Sequence, residues 1–217
     1  GLTQAFKTQP EKVIDFVIDF YSVLLQASPN AAHRALYVLE EKGILSSTIT
    51  QNIDDLHRQA GSWNVIELHG NAFRIRCMHC DKTIVLAKDK LQEMIELLKI
   101  SKGSRIKLLK VLSRYFPRCL TCGSRYRIDI VLFGEILPQD ELSRAYAQLD
   151  NCHTLLIIGS SLLVYPAASL PLYAKERGAK LIEINSEPSS LSALCDYRIA
   201  GRASEALPEI LGILGYA

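Results

Sequence analysis

The chain has 217 residues, enough for one sizeable core or for one core with a small satellite module. Its 48% hydrophobic and 22% charged content is that of an ordinary soluble globular protein, and 25 Lys plus Arg against 23 Asp plus Glu leaves no basic excess of the kind a nucleic-acid binder carries. No apolar run reaches the length of a membrane span and the opening GLTQAFKTQPEK lacks the layout of a signal peptide, so a cytoplasmic protein with no membrane and no direct nucleic-acid partner is expected.

Pro10 suits the first turn of a helix, and the densely apolar residues 13–25 that follow predict burial on more than one face. A second helix begins near Ser28-Pro29 and stops at Gly43, which fits a left-handed cap; His33 lies inside it. Residues 47–50 and 65–68 are short strand-like runs, with a short helix closed by Gly61 between them. Their carboxyl ends deliver Gln51, Asn52 and Asp54 after the first and His69 after the second, at the edge of an open parallel sheet where ligands bind. A histidine ordinarily titrates at about pH 6.5 and can exchange a proton there, while an amide and a carboxylate orient a ligand. Taken singly, Asn52 and Asp54 read as helix caps and His69 as a satisfied, partly buried histidine.

Six cysteines follow, four of them as two CxxC pairs: Cys77 with Cys80, and Cys119 with Cys122. In a reducing compartment such pairs read as metal ligands, because each forms a knuckle that offers two thiolates and two knuckles complete a tetrahedron. Four thiolates leave no position for a reactive water, so one structural zinc is expected. Cys152 and Cys195 read as small buried apolar residues. Between the pairs, leucines and isoleucines at helical spacing, interrupted near residues 101–104, predict two amphipathic helices with a basic, solvated face.

From Ile128 the rhythm becomes strand, helix, strand. Residues 128–133 are rich in β-formers, residues 141–149 predict a helix, and residues 154–158 form an uninterrupted apolar strand covered on both faces. It ends at Gly159, Ser160 and Ser161, where backbone N–H groups and hydroxyls can approach a phosphate, although such residues usually just make a turn. Pro166 and Gly178 bracket the next helix, residues 180–184 form another buried strand ending at Asn185, and a last helix lies within residues 203–214. Alternating βα units imply an α/β fold with a Rossmann-like doubly wound parallel sheet, assigned to residues 1–71 and 128–217, with a zinc-binding module inserted at 72–127 and carrying the helical insert.

TQNIDDLH at 50–57 followed by ELHGN at 67–71 resembles the central signature of the sirtuins, which are NAD-dependent protein deacylases. PNAAHRAL at 29–36, the two CxxC pairs, VLFGE at 131–135, GSSLLVYPAA at 159–168 and Ile184-Asn185 extend the likeness along most of the chain. The resemblance implies that NAD is held by Gly159, Ser160, Ser161, Asn185, Ser186 and Glu187, with Ala203 near the adenine end and Gln51, Asn52, Ile53 and Asp54 forming the nicotinamide-ribose pocket. It implies His69 as the general base on a ribose hydroxyl, and an acylated-lysine protein or peptide laid as an added β-strand against Val131, Phe133, Gly134, Glu135 and Val164. Lysine deacylation with release of nicotinamide and acyl-ADP-ribose is the implied reaction, and His33 is implied to be structural.

The chain departs from that family in lacking the glycine-rich, GAGIS-like opening and the PDFR-like segment, together with the central strand that leads into them. A missing central strand leaves unpaired backbone groups, so the sequence is expected to begin partway into a longer parent chain. Ile128 stands where sirtuins usually carry proline, and the residues that favour acidic acyl groups fall in the absent region. Protein ADP-ribosyl transfer, NAD hydrolysis, or a non-catalytic zinc-stapled binding module are the alternatives.

Overall fold

The computed structural model describes residues 9–216. In chain order, α1 spans Pro10–Gln26, α2 Ala31–Glu41, β1 Thr48–Thr50, α3 Leu56–Gln59, β2 Val65–Glu67, β3 Gly70–Cys77 and β4 Thr83–Val85. The stretch between the cysteine pairs folds as two helices, α4 Lys88–Ser101 and α5 Arg105–Tyr115, and β5 follows at Tyr126–Ile130. Then come α6 Gln139–Leu149, β6 Thr154–Ile158, α7 Leu170–Glu176, β7 Lys180–Asn185, β8 Tyr197–Ala200 and α8 Ala203–Ile213.

The described residues up to Ala27 form one compact unit with Asn71–Ile130. Helix α1 starts on Pro10 and buries Ile14, Ile18 and Tyr21, a single stripe at helical spacing. Phe16 and Val23 stay 59% and 70% exposed, so the burial on several faces expected from composition is not found. The stripe packs on α4, whose Leu91, Met94, Ile95 and Leu98 are fully buried, and the Tyr21 hydroxyl donates to the Ala72 carbonyl at 2.9 Å. Residues 9–27 therefore go with the cysteine-bearing unit and not with the sheet domain to which the sequence assigns them, because α4 supplies the apolar stripe that α1 needs. The run 128–133 is also divided: β5 ends at Ile130 and joins a β4-β3-β5 sheet. Asp129 explains this, since its buried carboxylate accepts from Nε of both Arg74 and Arg76 on β3, at 2.5 and 2.6 Å.

The second unit comprises Ser28–Gly70 and the described residues from Val131 onward. Its first helix, α2, opens with a capping box: Asn30 Oδ1 accepts from the Ala32 and His33 N–H groups, and His33 Nδ1 accepts from the Asn30 N–H. Such a cap stabilises by about 1 kcal/mol. The helix closes at Gly43, whose φ of +70° is the left-handed value that glycine tolerates.

Strands β1 and β2 pair in parallel, and β6, β7 and β8 form a second, all-parallel sheet in that order. These two parallel ladders with helices on both faces are the α/β, Rossmann-like arrangement expected from the sequence. Leu181 and Ile184 on β7 point to opposite sides. Leu181 joins a core of Ile66, Leu68, Leu149, Ile157 and Leu170 beneath α6 and α7, and Ile184 joins Leu36, Leu39, Leu207 and Leu211 beneath α2 and α8. On β6 only Ile157 is fully buried, because among the described residues no strand pairs with the edge opposite β7. Strand β8 has no counterpart in the sequence reading. No described helix is long and apolar enough to cross a membrane.

Candidate functional site

The unpaired edges of β1 and β6 face a cavity of about 580 Å³. Leu36 and Leu207 line it from one helical layer and Leu149 and Leu170 from the other, while the strand ends add Gln51, Asn52, Gly159, Ser160 and Ser161. Ala203, the first residue of α8, lines it too. The polar mouth of this cavity lies at the carboxyl ends of parallel strands, the edge of such a sheet where ligands bind.

At that mouth Ser160 is the junction. The Asn185 side chain donates to the Ser160 carbonyl at 3.1 Å, the Leu162 N–H donates to Ser160 Oγ at 3.2 Å, and Gln51 Nε2 reaches the same Oγ at 3.5 Å. Gly159 has φ +61°, open only to glycine without strain, and its N–H donates to the Ile184 carbonyl at 3.0 Å. Leu162 adopts φ +54° while remaining buried, an uncommon conformation for a branched residue that its surroundings must impose.

His69 does not line the cavity but is tied to it. Its Nδ1 lies 3.0 Å from the Gln51 carbonyl, and its own carbonyl accepts from the Val131 N–H at 3.0 Å. A carbonyl can only accept, so Nδ1 carries the proton and Nε2 keeps its lone pair. Ile53 and Asp54 fall outside the large cavity. Asp54 Oδ1 instead accepts from the Leu56 N–H at 3.0 Å, the turn-forming role its residue type favours, and the Asn52 N–H donates to Thr50 Oγ1 at 3.0 Å. Ser186 and Glu187 are exposed beyond β7.

Among the residues expected to hold a peptide, Val131 is anchored through His69 and Phe133 is fully exposed. Gly134 turns at φ +85°, and Glu135 Oε2 accepts from the Leu132 N–H at 3.0 Å. Val164 is 46% exposed between exposed Leu163 and Tyr165.

The structure adds a pair that residue types alone do not reveal. The rings of His33 and His57 lie 4.8 Å apart and both line the cavity. Burial, and then the neighbouring imidazole, push His57 below its ordinary value; burial also lowers His33. His57 Nδ1 is buried with no hydrogen-bond partner. The only sequence signal was the presence of each histidine in a polar helix-start motif.

In the other unit, the sulfurs of Cys77, Cys80, Cys119 and Cys122 all lie within 4.8 Å of one another. The Cys77–Cys122 and Cys80–Cys119 separations are both 3.5 Å. Zn–S bonds of about 2.3 Å in a tetrahedron place sulfurs about 3.8 Å apart, so the donor set fits one zinc ion. Amide N–H groups of Cys122 and Thr121 draw Cys119 down to about 5, the direction that favours a thiolate ligand.

Comparison with known proteins agrees with this geometry. A deacylase of Pyrococcus furiosus, named NAD-dependent protein deacylase, is 44% identical over 208 residues, covering 96% of this chain and 77% of the relative. A structure of Sir2Tm bound to a propionylated peptide superposes with a TM-score of 0.78 at 35% identity, covering 99% of this chain and 83% of that one. A Sir2 homolog–NAD complex superposes at 0.77 with 37% identity, covering 98% and 75%. The Sir2 family model matches residues 2–166, and with that match and those relatives the chain belongs to the Sir2 family.

Proposed function

We propose that this protein is an NAD-dependent protein-lysine deacylase in which His69 is the general base. The observation that carries the reading is the Gln51 carbonyl 3.0 Å from His69 Nδ1, which fixes the tautomer and leaves Nε2 as the proton acceptor at the carboxyl ends of the strands. NAD supplies the ribose that receives the acyl group and the nicotinamide that leaves. Gly159, Ser160, Ser161, Asn185, Ser186, Glu187 and Ala203 hold it, with Gln51, Asn52, Ile53 and Asp54 around its nicotinamide ribose.

His69 Nε2 takes a proton from a ribose hydroxyl, and the Gln51 carbonyl stabilises the imidazolium that results. Val131, Phe133, Gly134, Glu135 and Val164 receive the acyl-lysine peptide backbone, so recognition is by main-chain hydrogen bonding and tolerates many sequences. The four-cysteine cluster takes one structural zinc and no part in the chemistry. A cytoplasmic location is part of this reading, and the pairing of the cysteines as metal ligands without disulfides supports it.

Nicotinamide release from NAD, measured with and without an acetyl-lysine peptide, tests this reading. Peptide-dependent release is expected, and His69→Ala is expected to lower formation of the deacylated peptide by about a hundredfold or more, the range for a lost general base acting after nicotinamide has left. Equal nicotinamide release with and without peptide, or a His69→Ala variant that forms deacylated peptide at an unaltered rate, refutes it.

A further inference from the structure

The loop after β7 is held at its root by a buried acid that the proposed chemistry does not use. Glu183 is fully buried on β7, and its carboxylate accepts from the Ser189 N–H at 3.1 Å, the Ser192 hydroxyl at 2.5 Å and Arg198 Nε at 3.1 Å. Burial alone would raise this carboxyl, yet the hydrogen bonds from Ser189 and Ser192 hold it below its usual range, so the group stays ionised and keeps its acceptors. Within the loop, the Leu191 N–H donates to Ser189 Oγ at 3.3 Å.

Ser190 lies between these anchored residues and points the other way. Its N–H donates to the Ser161 carbonyl at 3.2 Å and its hydroxyl donates to the Leu162 carbonyl at 2.9 Å. These are the carbonyls on either side of the Leu162 nitrogen, whose residue has the left-handed φ of +54°. Strain of this kind persists only when surrounding contacts over-determine it. Ser160 Oγ below and Ser190 above supply those contacts.

We infer that Glu183 and Ser190 are positioning residues: Glu183 fixes the loop, and Ser190 uses it to hold the Gly159–Leu162 turn in the shape that receives NAD. Neither side chain needs to touch the ligand. Without the Ser190 hydroxyl, Leu162 relaxes toward an ordinary φ, and the Ser160 and Ser161 backbone turns with it. The effect falls on NAD affinity, because that turn lines the cavity, while His69 is held separately by Gln51.

The inference rests on the deacylase reading, and binding and turnover together separate the two. Calorimetry would measure NAD binding to the full chain and to Ser190→Ala, Ser190→Thr and Glu183→Gln, and steady-state assays would resolve KM from kcat. Ser190→Ala should raise the Kd and KM for NAD about five- to tenfold, the size expected for one lost hydrogen bond. It should leave kcat within about twofold, the peptide KM and the melting temperature unchanged, and Ser190→Thr should restore affinity. Glu183→Gln should weaken NAD in the same sense. An unchanged Kd in Ser190→Ala, beside an unaltered chain that binds NAD, overturns the positioning role alone. A melting temperature that falls with the affinity and is not rescued by threonine assigns Ser190 to stability and overturns it too. Failure of the unaltered chain to bind NAD overturns the parent reading, and this inference with it.

Discussion

Removing the metal from the four-cysteine cluster should unfold the unit that carries it, not merely soften it. The four sulfurs converge from two knuckles, one at the end of β3 and one before β5, and Cys77 and Cys119 are buried. Binding of a structural zinc by four such ligands is worth about 10–16 kcal/mol near neutral pH. A whole domain is stable by only about 5–15 kcal/mol. The apo unit must therefore find its stability in the α1–α4–α5 packing and the small β4-β3-β5 sheet. Its fully buried Leu91, Met94, Ile95 and Leu98 contribute roughly 1.5–3 kcal/mol each before entropy is counted. Protein freed of metal by a strong chelator and checked by elemental analysis should lose helical circular dichroism equivalent to α4 and α5, and one calorimetric transition should vanish. Readdition of zinc should restore both. A metal-free sample that keeps its full helical signal and melting profile would refute the argument, as would protein purified without chelator that contains far less than one zinc per chain.

Three further perturbations have signs that follow from the structure. Asp129→Asn removes the carboxylate shared by Arg74 and Arg76; because both guanidinium groups keep some contact with water, at 24% and 31% exposure, a loss of about 2–3 kcal/mol in denaturant unfolding is expected, below the usual cost of breaking a fully buried pair. Gly61→Ala places a Cβ 2.8 Å from the Tyr37 ring at φ +114°, and should lower stability by about 1–3 kcal/mol, seen as a drop in melting temperature. His33 and His57 both titrate below their ordinary value, so the unfolded chain takes up protons first on acidification: their stabilising effect is present above about pH 6.5 and is lost as pH falls from there through their lowered folded-state values. Urea midpoints measured from about pH 8 down to about pH 5.5 should fall, less steeply in His57→Gln, whereas a midpoint that rises on acidification contradicts the sign.

What could be read in advance was local. The two-residue spacing within each cysteine pair already fixes a knuckle, and the break near Ser101–Ser104 separates α4 from α5 where Ser104 caps the second helix. The ends of β1 and β6 announce polar residues because strand propensity stops there. What could not be read depends on partners distant in sequence. Residues 128–130 have the apolar character of a core strand, yet Asp129 commits them to β3 through arginines more than fifty residues earlier. Helix α1 is apolar enough for either unit, and only the complementary stripe on α4 decides its place. The Ser190 contact to Leu162 spans 28 residues and joins two loops, neither of which has a periodic pattern to betray it.

The same distinction explains how the site is held. On the β6–β7 side the Gly159 turn is fastened at several points: by the Ile184 carbonyl, by the Asn185 amide and by Ser190, at 3.0, 3.1 and 2.9 Å. On the β1 side Gln51 reaches Ser160 at 3.5 Å, the outer limit of a hydrogen bond. Strand β1 pairs with β2, and β6 with β7, so the ladder hydrogen bonds do not bridge the cavity. The elements proposed to grip the polar end of NAD thus sit on a well-braced support, and His69, the proposed general base, is tied to the other ladder through Gln51.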